Sequence, residues 1–300
     1  GNVTASSAVT GADHNLTKTG TGTLQITSTG ATLDGNLNVN GGTVQITDFR
    51  SVNMHSASTT PGVINIGTSG TAGTLTIGTA TAATAAGLTL AATKAINLAG
   101  TTGGATINAN QAGANPVIIG TIGTTGAGAK TLTLGGTSTT ADNLISGAIA
   151  DNGVVSLTKT DAGTWVLSGA NTYTGATTIS GGTLKLTANA AASTILADTS
   201  ALTFNANTAT GSAGGALRFT GVSGSATTES LGALTPTAGP GVVTLVSGDG
   251  GTSAANLAFA SLGATTAASS VNFVTTGAGS GLVTLTGQTA TTATDLPGTA

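Results

Sequence analysis

Several residue types that support common chemistry are scarce in this chain. Its 300 residues include no cysteine, one tryptophan, one tyrosine and two histidines. The lack of cysteine excludes a disulfide framework and a thiol nucleophile. His14 and His55 lie too far apart in sequence for the usual zinc spacings. We therefore assign no metal site and no cofactor.

Charge is equally scarce. Seven Lys plus Arg and ten Asp plus Glu make 6% of the chain, with a net charge of -3. The basic residues occur singly, so nucleic acid is not expected as a partner. No apolar run reaches the roughly 18 residues of a membrane helix, and the first residues lack the features of a signal peptide. We expect any export signal or anchor outside this sequence.

Glycine, threonine and aliphatic residues dominate what is present. The chain has 48 glycines, and 39% of its residues are apolar. Segments such as Thr74–Ile77 and Thr131–Leu134 alternate threonine with leucine or isoleucine, between glycine-rich turns. This two-residue period predicts short strands with aliphatic side chains inward and threonines outward. With so few aromatics, the core must be thin. The pattern predicts an all-β solenoid of roughly ten to fourteen coils, with little or no helix.

One thirty-residue unit occurs twice. Residues 157–186 carry the clearer copy, and residues 16–46 carry a divergent one with the same order of strands and turns. Twelve positions define the unit: Leu157, Lys159, Gly163, Trp165, Leu167, Asn171, Tyr173, Gly175, Ile179, Gly182, Leu184 and Leu186.

This pattern resembles the passenger-associated repeat of bacterial autotransporters, also called the autotransporter-associated β-strand repeat. Asp161 stands where that family usually has glycine, whereas the upstream copy keeps Gly20 but lacks Asn-Thr-Tyr. The resemblance implies a single-stranded right-handed parallel β-helix on a Gram-negative cell surface, usually as part of a much longer chain. The absence of cysteine fits export through an oxidising periplasm.

The simplest domain organisation is one continuous solenoid over residues 1–300. Residues 48–62 depart most from the repeat, and this departure predicts a protruding loop. Asp48, Arg50 and His55 are interpreted as polar side chains on the surface of that loop. Neither terminus shows a polar cap of the kind that solenoids need. We therefore expect either a segment of a longer chain or subunits that associate end to end. Lateral association of threonine-rich faces is a further prediction, because little charge opposes it.

No catalytic group is evident. Asp13 and His14 are neighbours on a strand and should point to opposite faces. Asp142, Asp151 and Asp161 are close in sequence, but we expect them at separate corners with Lys159 solvated nearby. Short acidic turns at 151–153 and 249–251 lack the spacing of calcium loops. We assign no catalytic residue and expect no enzyme activity.

The rare aromatic residues have structural interpretations. Trp165 occupies a position that is leucine in the upstream copy, Leu24, and is expected in the core. Tyr173 and Asn171 are expected to complete a corner, with the asparagine side chain hydrogen-bonded to the turn.

Three functions remain open from the sequence. The first is a non-enzymatic extracellular rod, structural or adhesive, either an autotransporter-type passenger or a fibre subunit, with surface glycans of a host or neighbouring cell as partners. The second is a polysaccharide-active β-helix enzyme, which would depend on Asp142, Asp151 or Glu229. The third is ice binding through threonine columns, which the irregular strand spacing argues against.

Overall fold

A computed structural model describes residues 1–7, 9–11, 14–54, 62–78, 88–190, 192–206, 214–248, 253–266, 269–276 and 281–286. The chain divides into two compact units. The first comprises Gly1–Leu157 with Ala162–Trp165, and the second comprises Thr158–Asp161 with Val166–Ala300. Continuity of one solenoid over 1–300 stays a prediction, so each unit is described by itself.

The first unit consists of short strands joined by tight turns. Its strands are β1 Val3–Ala5, β2 Thr10–Gly11, β3 Leu16–Lys18, β4 Thr23–Ile26, β5 Thr32–Leu33, β6 Leu37–Val39, β7 Gly42–Ile46, β8 Ile64–Ile66, β9 Gly73–Ile77, β10 Ile96–Leu98, β11 Ala105–Ala109, β12 Ile118–Ile119, β13 Ile122–Thr124, β14 Lys130–Gly135 and β15 Asp142–Ile145. Strands β16, Val155–Lys159, and β17, Thr164–Leu167, each contain a boundary between the units.

These strands form parallel ladders. The longest runs through β1, β4, β7, β9, β11 and β14. A second ladder contains β3, β6, β8, β10 and β13. Shorter ladders join β2 to β5 and β12 to β15. Because each strand pairs with the equivalent strand one coil later, the chain winds as a helix of strands.

The coils differ in length but keep their register. Along the longest ladder the successive partners Val3, Leu24, Val44, Leu75, Ile107 and Leu134 are 21, 20, 31, 32 and 27 residues apart. The last four of these side chains are fully buried and stack as an aliphatic column. Each such burial contributes roughly 1.5–3 kcal/mol to the hydrophobic stabilisation.

The second unit repeats this construction with longer strands. They are β18 Thr177–Ile179, β19 Thr183–Thr187, β20 Ala192–Ser193, β21 Leu202–Asn205, β22 Gly215–Thr220, β23 Thr227–Val246, β24 Ala255–Leu262, β25 Ser269–Thr276 and β26 Val283–Leu285. Strand β23 pairs with β20, β24, β21, β22 and β25 along successive parts of its length. All of these pairings are parallel, and the core again consists of columns such as Leu184, Leu217 and Val243.

The segment that departs from the repeat begins with a 3-10 helix, Phe49–Val52. The Asp48 side chain accepts a hydrogen bond from the Arg50 amide at 2.8 Å and caps this helix. Phe49, Val52 and Met54 are buried. Residues 55–61, including His55, lie outside the described residues, so the protruding loop over 48–62 stays a prediction.

Both units therefore have the fold class that the sequence predicts, an all-β right-handed parallel β-helix. The 3-10 helix is the only helical element in the described part of the chain. Within the same residues, no helix has the length and apolar character needed to cross a bilayer.

Candidate functional surface and the corners of the repeat

Lys159 is the centre of one corner of the repeat. Its side chain is fully buried, and its Nζ donates hydrogen bonds to the carbonyl oxygens of Thr160, Asp161 at 3.0 Å and Gly181 at 3.2 Å. The expectation that Lys159 is solvated is wrong. The tight turn directs carbonyl oxygens toward one point, and a single ammonium group satisfies them.

The upstream copy has the same corner. Lys18 Nζ donates to the carbonyl oxygens of Thr19 at 2.7 Å, Gly20 at 2.8 Å and Gly41 at 3.2 Å. In each copy, two acceptors belong to the turn that follows the lysine and the third lies about one coil further along the chain. The lysine therefore ties its own turn to the next coil, and we call this arrangement the lysine corner.

Backbone conformation explains the glycine positions of the lysine corner. Gly20 has φ +71°, and the equivalent Asp161 has φ +56°, in the left-handed region that glycine adopts without strain. Aspartate is one of the few other residues that tolerate this region. The departure of Asp161 from the family pattern is thus compatible with an unchanged turn. Gly42 and Gly182, with φ +64° and +61°, form the second turn of each copy.

The lysine corner changes the acidity of its ammonium group. Burial lowers the pKa of Lys159 from 10.5 to about 8, and the charge of Asp161 partly opposes this shift. Burial also lowers the pKa of Lys94 and of Lys130. Three of the five lysines thus lie where burial makes the charged form less favourable than it is in water.

The Asn-Thr-Tyr segment forms a buried polar network in the second unit. Asn171 Nδ2 donates to the carbonyl oxygens of Gly169 at 3.0 Å and Ile195 at 2.6 Å. The hydroxyl groups of Tyr173 and Thr177 are 2.8 Å apart, and both side chains are fully buried. Burial and the charge of Glu229 raise the pKa of Tyr173 above its usual range, while the hydrogen bond with Thr177 opposes the shift.

Glu229 belongs to the same network, which the sequence did not reveal. Its carboxylate is fully buried and accepts hydrogen bonds from the amides of Ile195 at 3.2 Å and Leu196 at 2.6 Å. Asn171 and Glu229 therefore hold the 195–196 turn through its carbonyl oxygen and its amides. The one available signal was that the single glutamate interrupts an otherwise uncharged strand, β23.

The upstream copy replaces the hydroxyl pair by hydrocarbon. The positions 140 residues before Tyr173 and Thr177 hold Leu33 and Leu37, which are also buried. Both members of the hydroxyl pair are replaced together, as expected because a buried hydroxyl group without its hydrogen-bond partner is costly. The corner thus exists in a polar and an apolar form.

Trp165 lies in the core of the first unit. It is fully buried, and its Nε1 donates to the carbonyl oxygen of Gly135 at 2.9 Å. Neither Trp165 nor Tyr173 is available to stack on a ligand.

The other acidic candidates do not form a site. Asp142 is exposed on β15, and Asp151 accepts a hydrogen bond from the Val155 amide at 2.7 Å within its own turn. His14 is exposed. Asp13 and the 249–251 turn lie outside the described residues. Across the described ranges, no three His, Cys, Asp or Glu side chains group closely enough to hold a metal ion.

Outward side chains of the first unit form columns. Thr23, Thr43, Thr74, Thr106 and Thr133 are register partners on five successive strands. Irregular coil lengths therefore do not disturb this column, contrary to the expectation. The neighbouring column is mixed, with Gln25, Gln45, Thr76 and Asn108. Thr76 is only 7% exposed although the alternation places it outward. These strands do not provide two adjacent all-threonine columns.

A second face carries an asparagine ladder. Asn38 Nδ2 donates to Thr17 Oγ1 at 3.2 Å, Asn65 Nδ2 to Asn38 Oδ1 at 2.8 Å, and Asn97 Nδ2 to Asn65 Oδ1 at 3.2 Å. Each amide bonds to the coil before it, so uncharged side chains link successive coils on the surface.

The fold is that of a parallel β-helix, and comparison with known proteins identifies its repeat. Residues 16–46 and 157–186 match the family described as Passenger-associated-transport-repeat, which confirms the resemblance found in the sequence. Over 60 residues, 19% of this chain, the sequence is 50% identical to a protein described as "Adhesin BmaC autotransporter" from Brucella suis biovar 1 (strain 1330). The match covers 2% of that relative's length. No solved structure matches the chain.

We expect Gly42→Ala to destabilise the first unit more than Gly20→Ala. Both residues have positive φ, which costs alanine about 1 kcal/mol. A Cβ at position 20 meets nothing within 4 Å, whereas one at position 42 lies 2.4 and 2.5 Å from the carbonyl oxygens of Gly22 and Gly20. Chemical denaturation of the two variants checks this, and equal losses would contradict the collision at Gly42.

Stability should rise with pH from about 8 to 10. In this range the unfolded chain keeps the Lys159 proton that the folded chain releases, because the folded pKa is lowered to about 8. The free energy of unfolding then increases by up to about 1.4 kcal/mol per pH unit. Above pH 10 the gain ends, because Tyr173 ionises more readily in the unfolded chain.

Denaturation curves at several pH values test this dependence. Lys159→Met should lower the slope below pH 10, whereas Thr187→Met, an outward change on β19 without a titrating group, should leave it unchanged. An identical slope in Lys159→Met and the wild type would show that another group is responsible.

Tyr173→Phe should destabilise the second unit by about 1–3 kcal/mol, because Thr177 Oγ1 loses its buried partner. Thr177→Val should have a similar effect by leaving the Tyr173 hydroxyl unpaired. The double variant should cost less than the sum of the two, as the apolar upstream corner suggests. Strict additivity in this cycle would mean that the two hydroxyl groups do not interact.

Proposed function

We propose that this chain is a non-enzymatic, cell-surface β-helix that acts in adhesion, as a segment of an autotransporter-type passenger on a Gram-negative bacterium. The single observation that carries the proposal is the pair of passenger repeats, each built into a parallel ladder through its lysine corner. The similarity to a named adhesin over 60 residues adds to it.

The surface chemistry supports an adhesive scaffold over an enzyme. The outward columns carry threonine, asparagine and glutamine, whose groups hydrogen-bond without general acid or base strength at neutral pH. Glu229, one of three carboxylates on which a polysaccharide-active enzyme would depend, is buried and already bonded to two backbone amides. Such a carboxylate stabilises a turn and is not placed to reach a sugar.

Self-association and ice binding have less support. The threonine column of β4, β7, β9, β11 and β14 offers an uncharged face for lateral contact, and a fibre subunit would need such a contact. Ice binding would need a second threonine column beside the first, where glutamine and asparagine stand instead.

The proposal is tested in the source bacterium. Antibodies against this chain should label intact cells, and external protease should remove the label. Deletion of the gene should lower adherence to host or neighbouring cells several-fold, and the wild-type gene should restore it.

The same strain separates the alternatives. A complementing gene with Glu229→Gln that retains normal surface labelling should restore adherence, because no catalytic step is involved. Labelling only after cell lysis would refute the surface location. Release of oligosaccharides from polysaccharide by the purified chain would favour the enzyme.

A further inference from the structure

Asparagine is followed by glycine at two places in the sequence, Asn40–Gly41 and Asn152–Gly153. In such a pair the backbone nitrogen of glycine can attack the side-chain carbonyl carbon of asparagine, because glycine has no side chain to obstruct the approach. The attack also requires rotation of the backbone between the two residues. Reaction at a given pair therefore depends on how firmly the fold holds it.

The pair Asn152–Gly153 lies in the turn between β15 and β16, within the first unit. Both residues are exposed, and Gly153 has φ +96°. Among the residues that the structure describes, none forms a hydrogen bond with Asn152 or with Gly153. The side chain of Asn152 and the nitrogen of Gly153 are therefore free to approach each other.

The pair Asn40–Gly41 has the opposite environment. Asn40 is half-buried and Gly41 is buried. The Asn40 amide donates to the Lys18 carbonyl oxygen at 2.9 Å, and the Gly41 carbonyl oxygen accepts from Lys18 Nζ at 3.2 Å. The lysine corner thus holds this pair from both sides, and rotation of its backbone would break these hydrogen bonds.

We propose that Asn152–Gly153 is a site of spontaneous deamidation in the folded chain, with water as the co-reactant. The Gly153 nitrogen forms a bond to Cγ of Asn152, the bond from Cγ to Nδ2 breaks, and the proton of the Gly153 nitrogen leaves with Nδ2 as ammonia. Water then opens the cyclic imide at one of its two carbonyl carbons. The product at position 152 is aspartate or isoaspartate, without oxidation or reduction. The reaction needs no enzyme and is independent of the proposed adhesive function.

Either product changes the turn. It adds one negative charge beside Asp151, and isoaspartate also lengthens the backbone by one atom. The turn has little room for a longer backbone, because a Cβ on Gly153 would lie 2.5 Å from the Gly128 nitrogen. The Val154 carbonyl oxygen accepts a hydrogen bond from the Lys130 amide at 2.9 Å. We therefore expect isoaspartate to weaken the contact between this turn and β14.

The test follows both pairs in the purified chain during incubation at neutral to mildly alkaline pH. Tryptic peptides are analysed by mass spectrometry, in which deamidation raises the mass by one unit, and isoaspartate is counted by enzymatic methylation. Asn152 should convert several-fold faster than Asn40 while the chain is folded. Asn143, which is buried and lies in the same tryptic peptide as Asn152, should stay unchanged.

Incubation in denaturant separates the effect of the fold from that of the dipeptide. There the two pairs should convert at similar rates, because the lysine corner is lost. A preference for Asn152 that persists in denaturant, or equal rates at Asn152 and Asn40 in the folded chain, would overturn the proposal. It would also be overturned if Asn152 stayed intact in the folded chain over a period in which the denatured chain converts fully.

Two variants test the site and its consequence. Asn152→Gln keeps an exposed amide but must form a larger ring, so it should release less ammonia than the wild type; equal release would place the reaction elsewhere. Freshly prepared Asn152→Asp carries the added charge on a backbone of normal length. After full conversion, the wild type should unfold at a lower denaturant concentration than Asn152→Asp, and equal midpoints would contradict the effect of the longer backbone.

Discussion

In-register stacking of parallel strands is the constraint from which the rest of the structure follows. Register partners on adjacent strands lie about 4.8 Å apart, one coil from each other. The size, polarity and charge of a side chain must therefore suit those of its register partners. Aliphatic columns such as Val44, Leu75 and Ile107 fill the interior. Threonine and asparagine columns cover the outside, because uncharged side chains can stack without repulsion.

Tight turns create the second requirement of the fold. A turn through Gly20 or Asp161 brings two carbonyl oxygens within hydrogen-bond distance of the lysine that precedes it. The lysine corner meets this need with one ammonium group, and the Asn171–Glu229 network meets it at the 195–196 turn. Lys18, Lys159 and Glu229 thus join successive coils. The outward columns of the described strands carry threonine, asparagine and glutamine instead.

Against that background, the few side chains that depart from the rule are informative. Asp161 keeps a left-handed turn that glycine usually makes, and its carbonyl oxygen still reaches Lys159. Leu33 and Leu37 replace the Tyr173–Thr177 pair as a unit. Lys185 and Arg218 place two basic side chains at register positions of adjacent strands.

The sequence by itself determined the β-helix, the two repeat units and the inward direction of the aliphatic side chains, because a two-residue period and glycine turns act locally. The sequence predicted a solvated Lys159 incorrectly and indicated no structural role for Glu229. Both environments depend on turns of other coils, at Gly181 for the lysine and at Ile195 and Leu196 for the glutamate. The register of Thr23 to Thr133 and the adjacency of Lys185 and Arg218 were likewise decided by the tertiary structure. Because coil length varies along the chain, only the folded ladder shows which residues, 20 to 33 positions apart, become neighbours.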